Sequence, residues 1–295
     1  MPQIFVIENQ DGVLELIDGL QRVSTILQFM EPQSIDMEPL TLDGCTLISG
    51  LNGLSFGALP LPLRLRLKRS PIRTVVIKKQ SQGFLRYEMF KRLNTGGANL
   101  EPQEIRNCSA RMLGEDGVAF YNLLVMLSQQ QDFAACAEYL PQPDKEKKGA
   151  EELVLRFFAA KNFVEGFKGS VRDWLDNYME SVLLGKQPFD TALETEAFTK
   201  TMGFARQKLG DTAFLRYRGE VPTGALPPAY FEAIAIGIHD NFDQIKDKSS
   251  DSLRTVITTL VQSDAFRSVT GPGANSKEKL KTRIQLVAHA LLNAV

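Results

Sequence analysis

The stretch Leu16-Ile17-Asp18-Gly19-Leu20-Gln21-Arg22-Val23-Ser24-Thr25 decides how the amino-terminal third of the chain is read. Before it, Ile4-Phe5-Val6-Ile7 is a strand pattern. Asn9-Gln10-Asp11-Gly12 is its turn, and Val13 to Ile17 alternates apolar and acidic residues as a half-buried strand does. After it, Val23, Ile26, Leu27 and Met30 recur at helical spacing. The order is therefore hairpin, sharp turn, helix. The amide N–H groups at such a helix start can hold a phosphate. Gly19 permits close backbone approach. Arg22 suits a bidentate phosphate clamp, Asp18 a magnesium ion held through water, and Gln21 the orientation of an attacking water. The same residues also suit a plain helix cap, with Arg22 paired to a surface acid.

Toward the centre, Leu63, Leu65 and Leu67 alternate with Arg64, Arg66 and Lys68, which predicts a strand with one apolar and one basic face. Thr74 to Ile77 predicts another. Residues 1–60 carry one basic residue, Arg22, and eight acidic ones, whereas residues 61–111 carry twelve basic and three acidic. A basic segment of this kind fits salt-dependent contact with a duplex DNA backbone through Arg64, Arg66 and Lys68. It equally fits a solvated sheet face balanced by the acidic start.

Phe84 to Leu93 predicts a helix that stops at Asn94-Thr95-Gly96-Gly97, and Pro102 suits the first turn of the next helix. Arg92, Asn94, Gly96 and Gly97 can line a ligand, or simply cap and turn the chain. Glu104 and Arg106 just beyond can form its wall or a supporting ion pair. From about residue 112 the pattern is helical. Segments run over Phe120–Met126, Phe133–Tyr139, Glu151–Phe167, Val171–Leu184 and Phe189–Leu209, then Tyr230–Ile238, Leu253–Val261 and Lys277–Leu292. Gly219–Pro228 and Gly271-Pro272-Gly273 read as loops, with Ser276 capping the last helix. Trp174, Phe157, Phe158, Phe163, Phe167, Leu175 and Tyr178 are expected in a helical core.

The whole chain has 295 residues and a net charge of -1, a length that suits two domains. Three cysteines without a CxxC pair argue against a disulfide framework or a thiolate metal site. His239 and His289 stand alone, so no site needing two histidines is expected, and no metal ligands are assigned. There is no GxxxxGK[ST] loop, no membrane-length apolar run and no signal-peptide pattern. The expectation is a cytoplasmic protein.

Two motifs carry a family resemblance. Ile17-Asp18-Gly19-Leu20-Gln21-Arg22-Val23-Ser24-Thr25 is similar to a strand running into "DGQQR" and a helix. Phe90-Lys91-Arg92-Leu93-Asn94-Thr95-Gly96-Gly97-Ala98-Asn99-Leu100, followed by Glu104-Ile105-Arg106-Asn107, is similar to F-x-R-x-N-T-G-G-x-x-L and then E-I/L-R-N. In this order they resemble the DUF262 family, the amino-terminal domain type of GmrSD-like restriction systems, over roughly residues 1–110. The resemblance implies an α+β chain: a small ParB/sulfiredoxin-like mixed domain over 1–110, then a mainly helical domain over 111–295. It implies a nucleoside-triphosphate-binding, Mg2+-dependent domain, with hydrolysis as a further expectation, in bacterial defence against modified foreign DNA such as phage DNA. Asp18, Gln21 and Arg22 would be catalytic. Gly19, Arg92, Asn94, Gly96 and Gly97 would complete the nucleotide pocket. Three departures stand out: Leu20 replaces the first Gln, the family's upstream segment is missing before Met1, and no HNH nuclease half is visible. The alternatives are a non-catalytic DNA-binding or regulatory module partnering a separately encoded nuclease subunit, and an inactive scaffold. A homo-oligomer is compatible with each.

Overall fold

The computed structural model describes residues 3–8, 12–78, 102–111 and 113–294. Two compact units follow one another, Met1–Asn99 and Leu100–Val295. The first is mixed α/β and the second almost entirely helical, as the sequence pattern implies. The Asp11 turn residue and the helix expected over Phe84–Leu93 lie outside the described residues.

In the first unit β1 (Ile4–Glu8) is the central strand of a three-stranded sheet ordered β2-β1-β3. It runs antiparallel to β2 (Leu14–Asp18), with Val6 opposite Leu16, and parallel to β3 (Thr74–Ile77), with Val6 opposite Val76. Consecutive residues Val6 and Ile7 are both buried, so both faces of β1 are covered. Between β2 and β3 lie α1 (Leu20–Met30) and α2 (Leu61–Lys68).

Helix α2 corrects the strand expected at Leu63–Leu67. Five residues of strict alternation fit either period. Pro60 at the cap and Pro62 in the first turn tip the balance, because the first helical turn needs no N–H donors there. Leu, Arg and Lys are also good helix formers, and Arg66 and Lys68 sit favourably near the negative end of the helix dipole. On a helix, Arg64 and Lys68 share a side, while Arg66 points about 160° away. The single basic face is therefore not formed. The four leucines of α2 remain 37–58% exposed.

The second unit starts with α3 (Pro102–Arg111), α4 (Glu115–Ser128), α5 (Gln131–Ala137) and α6 (Gln142–Glu146). It continues with α7 (Gly149–Asn162), α8 (Val171–Leu183) and α9 (Thr191–Leu209). Helices α10 (Pro228–Ile245), α11 (Ser250–Gln262), α12 (Asp264–Thr270) and α13 (Lys277–Leu292) complete it. Side-chain caps define many helix starts: Ser170, Ser249, Ser263 and Ser276 each accept a hydrogen bond from the N–H three residues on. Residues 230–238 of α10 are buried without a break, so this helix is enclosed by its neighbours. Gly237 lets α13 come close: a Cβ there would stand 2.5 Å from Val287 Cγ1.

Aromatic rings fill the core around α10. Phe133, Phe157 and Phe198 meet edge to face at centroid distances near 5.2 Å, and Phe231 joins them from α10 itself. Trp174 is buried and donates its indole N–H to the Phe163 carbonyl at 2.8 Å. The expected core aromatics are thus buried, with Phe163 half-buried.

Part of the loop expected at Gly219–Pro228 is a hairpin of β4 (Arg216–Arg218) and β5 (Val221–Thr223). Gly219 occupies its first central turn position at φ 60, as a type II′ turn requires. Gln262 of α11 grips this tip, accepting from the Gly219 N–H at 2.8 Å and donating to its carbonyl at 3.0 Å. A cleft of about 800 Å³ lies between hairpin and α11, lined by Tyr217, Pro222, Arg254, Thr255 and Thr258 among others. No helix among the described residues is long and apolar enough to cross a membrane.

Cys136 is fully buried beside the Gly210 carbonyl, and burial pushes its thiol up to about 12. The thiolate is the reactive form. Iodoacetamide at pH 8 is therefore expected to alkylate half-buried Cys45 and to spare Cys136 until urea unfolds the chain. Peptide mass mapping checks this, and early labelling of Cys136 would contradict it.

Candidate functional site

The site begins where β2 ends. Asp18 is the last residue of the strand, and Leu20 the first of α1. Between them Gly19 turns the chain at φ 104, ψ 13, a conformation L side chains rarely adopt. It also sits against β1: a Cβ at this position would lie 2.6 Å from Ile4 Cγ2 and 3.3 Å from an Arg22 terminal nitrogen. Glycine is required here for both reasons. It brings the start of α1 directly against the central strand.

No side chain caps α1, and its first turn holds no acid. The Val23 N–H donates to the Gly19 carbonyl at 2.9 Å, which closes the first helical turn. The amides of Leu20, Gln21 and Arg22 precede that bond, so they have no partner of the helical kind. Together with the helix dipole they make the turn attractive to an anion.

Arg22 is the adjacent cation. It donates to Asp18 Oδ2 at 2.7 Å and to the Gln3 carbonyl at 3.0 Å, so it ties the helix start to the end of β2 and to the residue just before β1. The two bonds use two of the five N–H groups of the guanidinium. Asp18 and Arg22 are 22% and 29% exposed, so the pair remains reachable from solvent. Gln21 is exposed on the outer side of the same turn.

The structure thus brings Asp18, Gly19, Gln21 and Arg22 into one turn. Arg92, Asn94, Gly96 and Gly97 lie outside the described residues. Arg64, Arg66 and Lys68 stand on α2. Lys68 lies 3.9 Å from Glu31 and over the Phe56 ring, Arg66 is exposed, and the Nε of Arg64 is buried without a hydrogen-bond partner.

The tail of the second motif is described: Ile105, Arg106 and Asn107 are buried in the helical unit, and Glu104 is half-buried. Arg106 is 2% exposed. It donates to Asp176 at 2.7 Å, to Glu152 at 3.0 Å, to Gln103 at 2.9 Å and to the Arg172 carbonyl at 3.3 Å. Asn107 donates to Glu151 and accepts from Gln103. Glu152 also accepts from Arg156, which reaches Glu232 at 2.6 Å, and Glu232 accepts from Arg283. Burial pushes the Glu152 carboxyl upward, but the guanidiniums of Arg156 and Arg106 outweigh it and hold it below the ordinary carboxylate range. Arg156 is likewise raised, because Glu232 and Glu152 outweigh its desolvation. The sequence reading did not find this cluster, although Glu232 inside the run Ala229–Ile238 is a usable signal. A charge in a buried apolar run demands a partner.

The turn is thus an uncapped helix start on a mixed α/β scaffold, flanked by an arginine and an aspartate. Residues 1–110 match the family described as GmrSD restriction endonuclease, N-terminal domain. The match ends inside α3, so residues 100–110 are shared between the family region and the helical unit. No curated protein and no solved structure matches the chain.

Proposed function

We propose that the strand–Asp-Gly–helix turn binds the phosphates of a nucleoside triphosphate, and that the chain serves a DNA-modification-dependent restriction system. The observation that carries the proposal is the uncapped start of α1, set against β1 by Gly19 with Arg22 alongside. Backbone amides and Arg22 would hold phosphate oxygens. Among the described residues no group of three or more His, Cys, Asp or Glu side chains could hold a metal ion. Magnesium needs no such cage: one or two carboxylates and the substrate phosphates suffice, and Asp18 is the carboxylate at this turn. Magnesium bound with a nucleotide would polarise the phosphoryl oxygens. Gln21, exposed at the turn, would orient water for hydrolysis.

Titration calorimetry of the full chain with ATP, GTP, CTP and UTP in the presence of Mg2+ tests the reading. Heat of binding with at least one nucleotide is expected. Loss of a charge-assisted hydrogen bond costs about 1.5–3 kcal/mol, so Arg22→Ala is expected to weaken that binding roughly tenfold to 150-fold. No heat and no thermal shift with any of the four would refute the proposal.

A second reading keeps Arg66 and Lys68 of the expected Arg64, Arg66 and Lys68 set as contacts to a duplex DNA backbone, both being exposed although α2 turns them to different sides. Its signature is a gel-mobility shift at low salt that disappears steeply as salt rises. Partnership with a separately encoded nuclease subunit accords with either reading.

A further inference from the structure

Five buried or half-buried charges of the helical unit form one continuous chain of alternating sign. It runs from Arg106 on α3 to Glu152 and Arg156 on α7, then to Glu232 on α10 and Arg283 on α13. Asp176 on α8 branches from Arg106. At the far end Arg283 donates to the carbonyls of Val269 and Ala274, at 3.3 and 3.4 Å, and so holds the 271–276 loop between α12 and α13. Arg106, Arg283 and Glu232 are each 3% exposed or less.

Each inner member serves two neighbours. Glu152 offers one oxygen to Arg106 and the other to Arg156, and Glu232 offers one to Arg156 and the other to Arg283. The described members comprise three guanidiniums and three carboxylates, so their formal charge is zero. Neutralising one carboxylate leaves an excess positive charge at low dielectric, which acts on every guanidinium in the chain rather than on its nearest neighbour alone. Arg156 in the middle is 12% exposed and reaches water, whereas the terminal arginines, Arg106 and Arg283, are 3% exposed or less and shed the excess only by moving the segments they hold. The two ends are α3 and the 271–276 loop.

We propose that these five side chains, with Asp176 on their branch, form an electrostatic relay that ties the placement of α3 to the 271–276 loop, so that loosening either end loosens the other. It stands independently of nucleotide binding.

Hydrogen exchange on the full chain tests it. Glu232→Gln is expected to speed amide exchange at least tenfold both in residues 102–111 and in residues 264–276. Leu209→Ala, which opens an apolar cavity on α9 away from the charged chain and both of its ends, serves as the control and is expected to leave 102–111 unchanged. Arg283→Lys keeps the charge but loses the fork, and is expected to speed exchange in 102–111 several-fold; it decides the matter should Glu232→Gln not fold. Charge balance gives a second readout. The double variant Arg106→Met/Glu232→Gln removes one charge of each sign, and is expected to melt at a higher temperature than the two single losses added together predict. Acceleration confined to α10 and α13, or strictly additive melting losses, would overturn the relay.

Discussion

Replacing Arg106 by alanine is expected to destabilise the helical unit by about 3–5 kcal/mol, the usual cost of leaving buried charges without their partner. The guanidinium is 2% exposed and satisfies two carboxylates, a side-chain amide oxygen and a backbone carbonyl. Alanine leaves all four acceptors inside the protein and opens a cavity between α3, α7 and α8. Trp174, the only tryptophan, is buried in the same unit, so urea unfolding followed by its fluorescence measures the loss directly. Acid changes the comparison in a defined direction. Glu152 has a folded-state pKa below its ordinary value, so the stability it contributes is present above the unfolded value of about 4.3 and is lost as pH falls through the folded one. The variant gives up the Arg106 part of that contribution from the outset. The gap between the two proteins should therefore narrow below pH 4. A gap under 1 kcal/mol at pH 7 would show that water replaces the guanidinium freely.

The second large effect is expected at Gly19→Ala. Its positive φ and its contact with Ile4 act together, since an alanine methyl would sit 2.6 Å from Ile4 Cγ2. Backbone strain of about 1–3 kcal/mol and overpacking of similar size add to a loss of roughly 2–6 kcal/mol in the first unit. Relief requires β1 and the start of α1 to move apart, which also moves Arg22 away from the Gln3 carbonyl. Hydrogen exchange across residues 12–30 should quicken, and triphosphate binding at the turn should fall in parallel. Normal exchange there would mean that the turn absorbs a side chain without opening.

Elements whose cause is local were legible in the sequence. The β1–β2 alternation, the Asp-Gly break and the Ser276 cap each depend on residues within a few positions of one another. The Asp18–Arg22 pair was not read: Asp18 ends β2 instead of capping α1, and is itself the acid that Arg22 meets. Leu63–Leu67 was misread because Leu-Arg alternation over so short a span satisfies two periods, and the deciding information sat in Pro60 and Pro62 just outside it. The charged core was not legible. Glu232 lies 76 residues from Arg156 and 51 from Arg283, and only the packing of α7, α10 and α13 reveals that each is the other's counter-ion. The family region conceals a similar fact. Arg106 and Asn107 belong to its motif, yet their partners stand 44–70 residues further along.

The grip of Gln262 on Gly219 has a consequence for the cleft beside it. A two-stranded ribbon on its own would swing, and the gap behind it would widen and narrow with each swing. Clasped at its tip by a side chain from the opposite wall, the ribbon keeps a set gauge. A solute entering there meets a space already cut to size, and little ordering entropy is spent on shaping it.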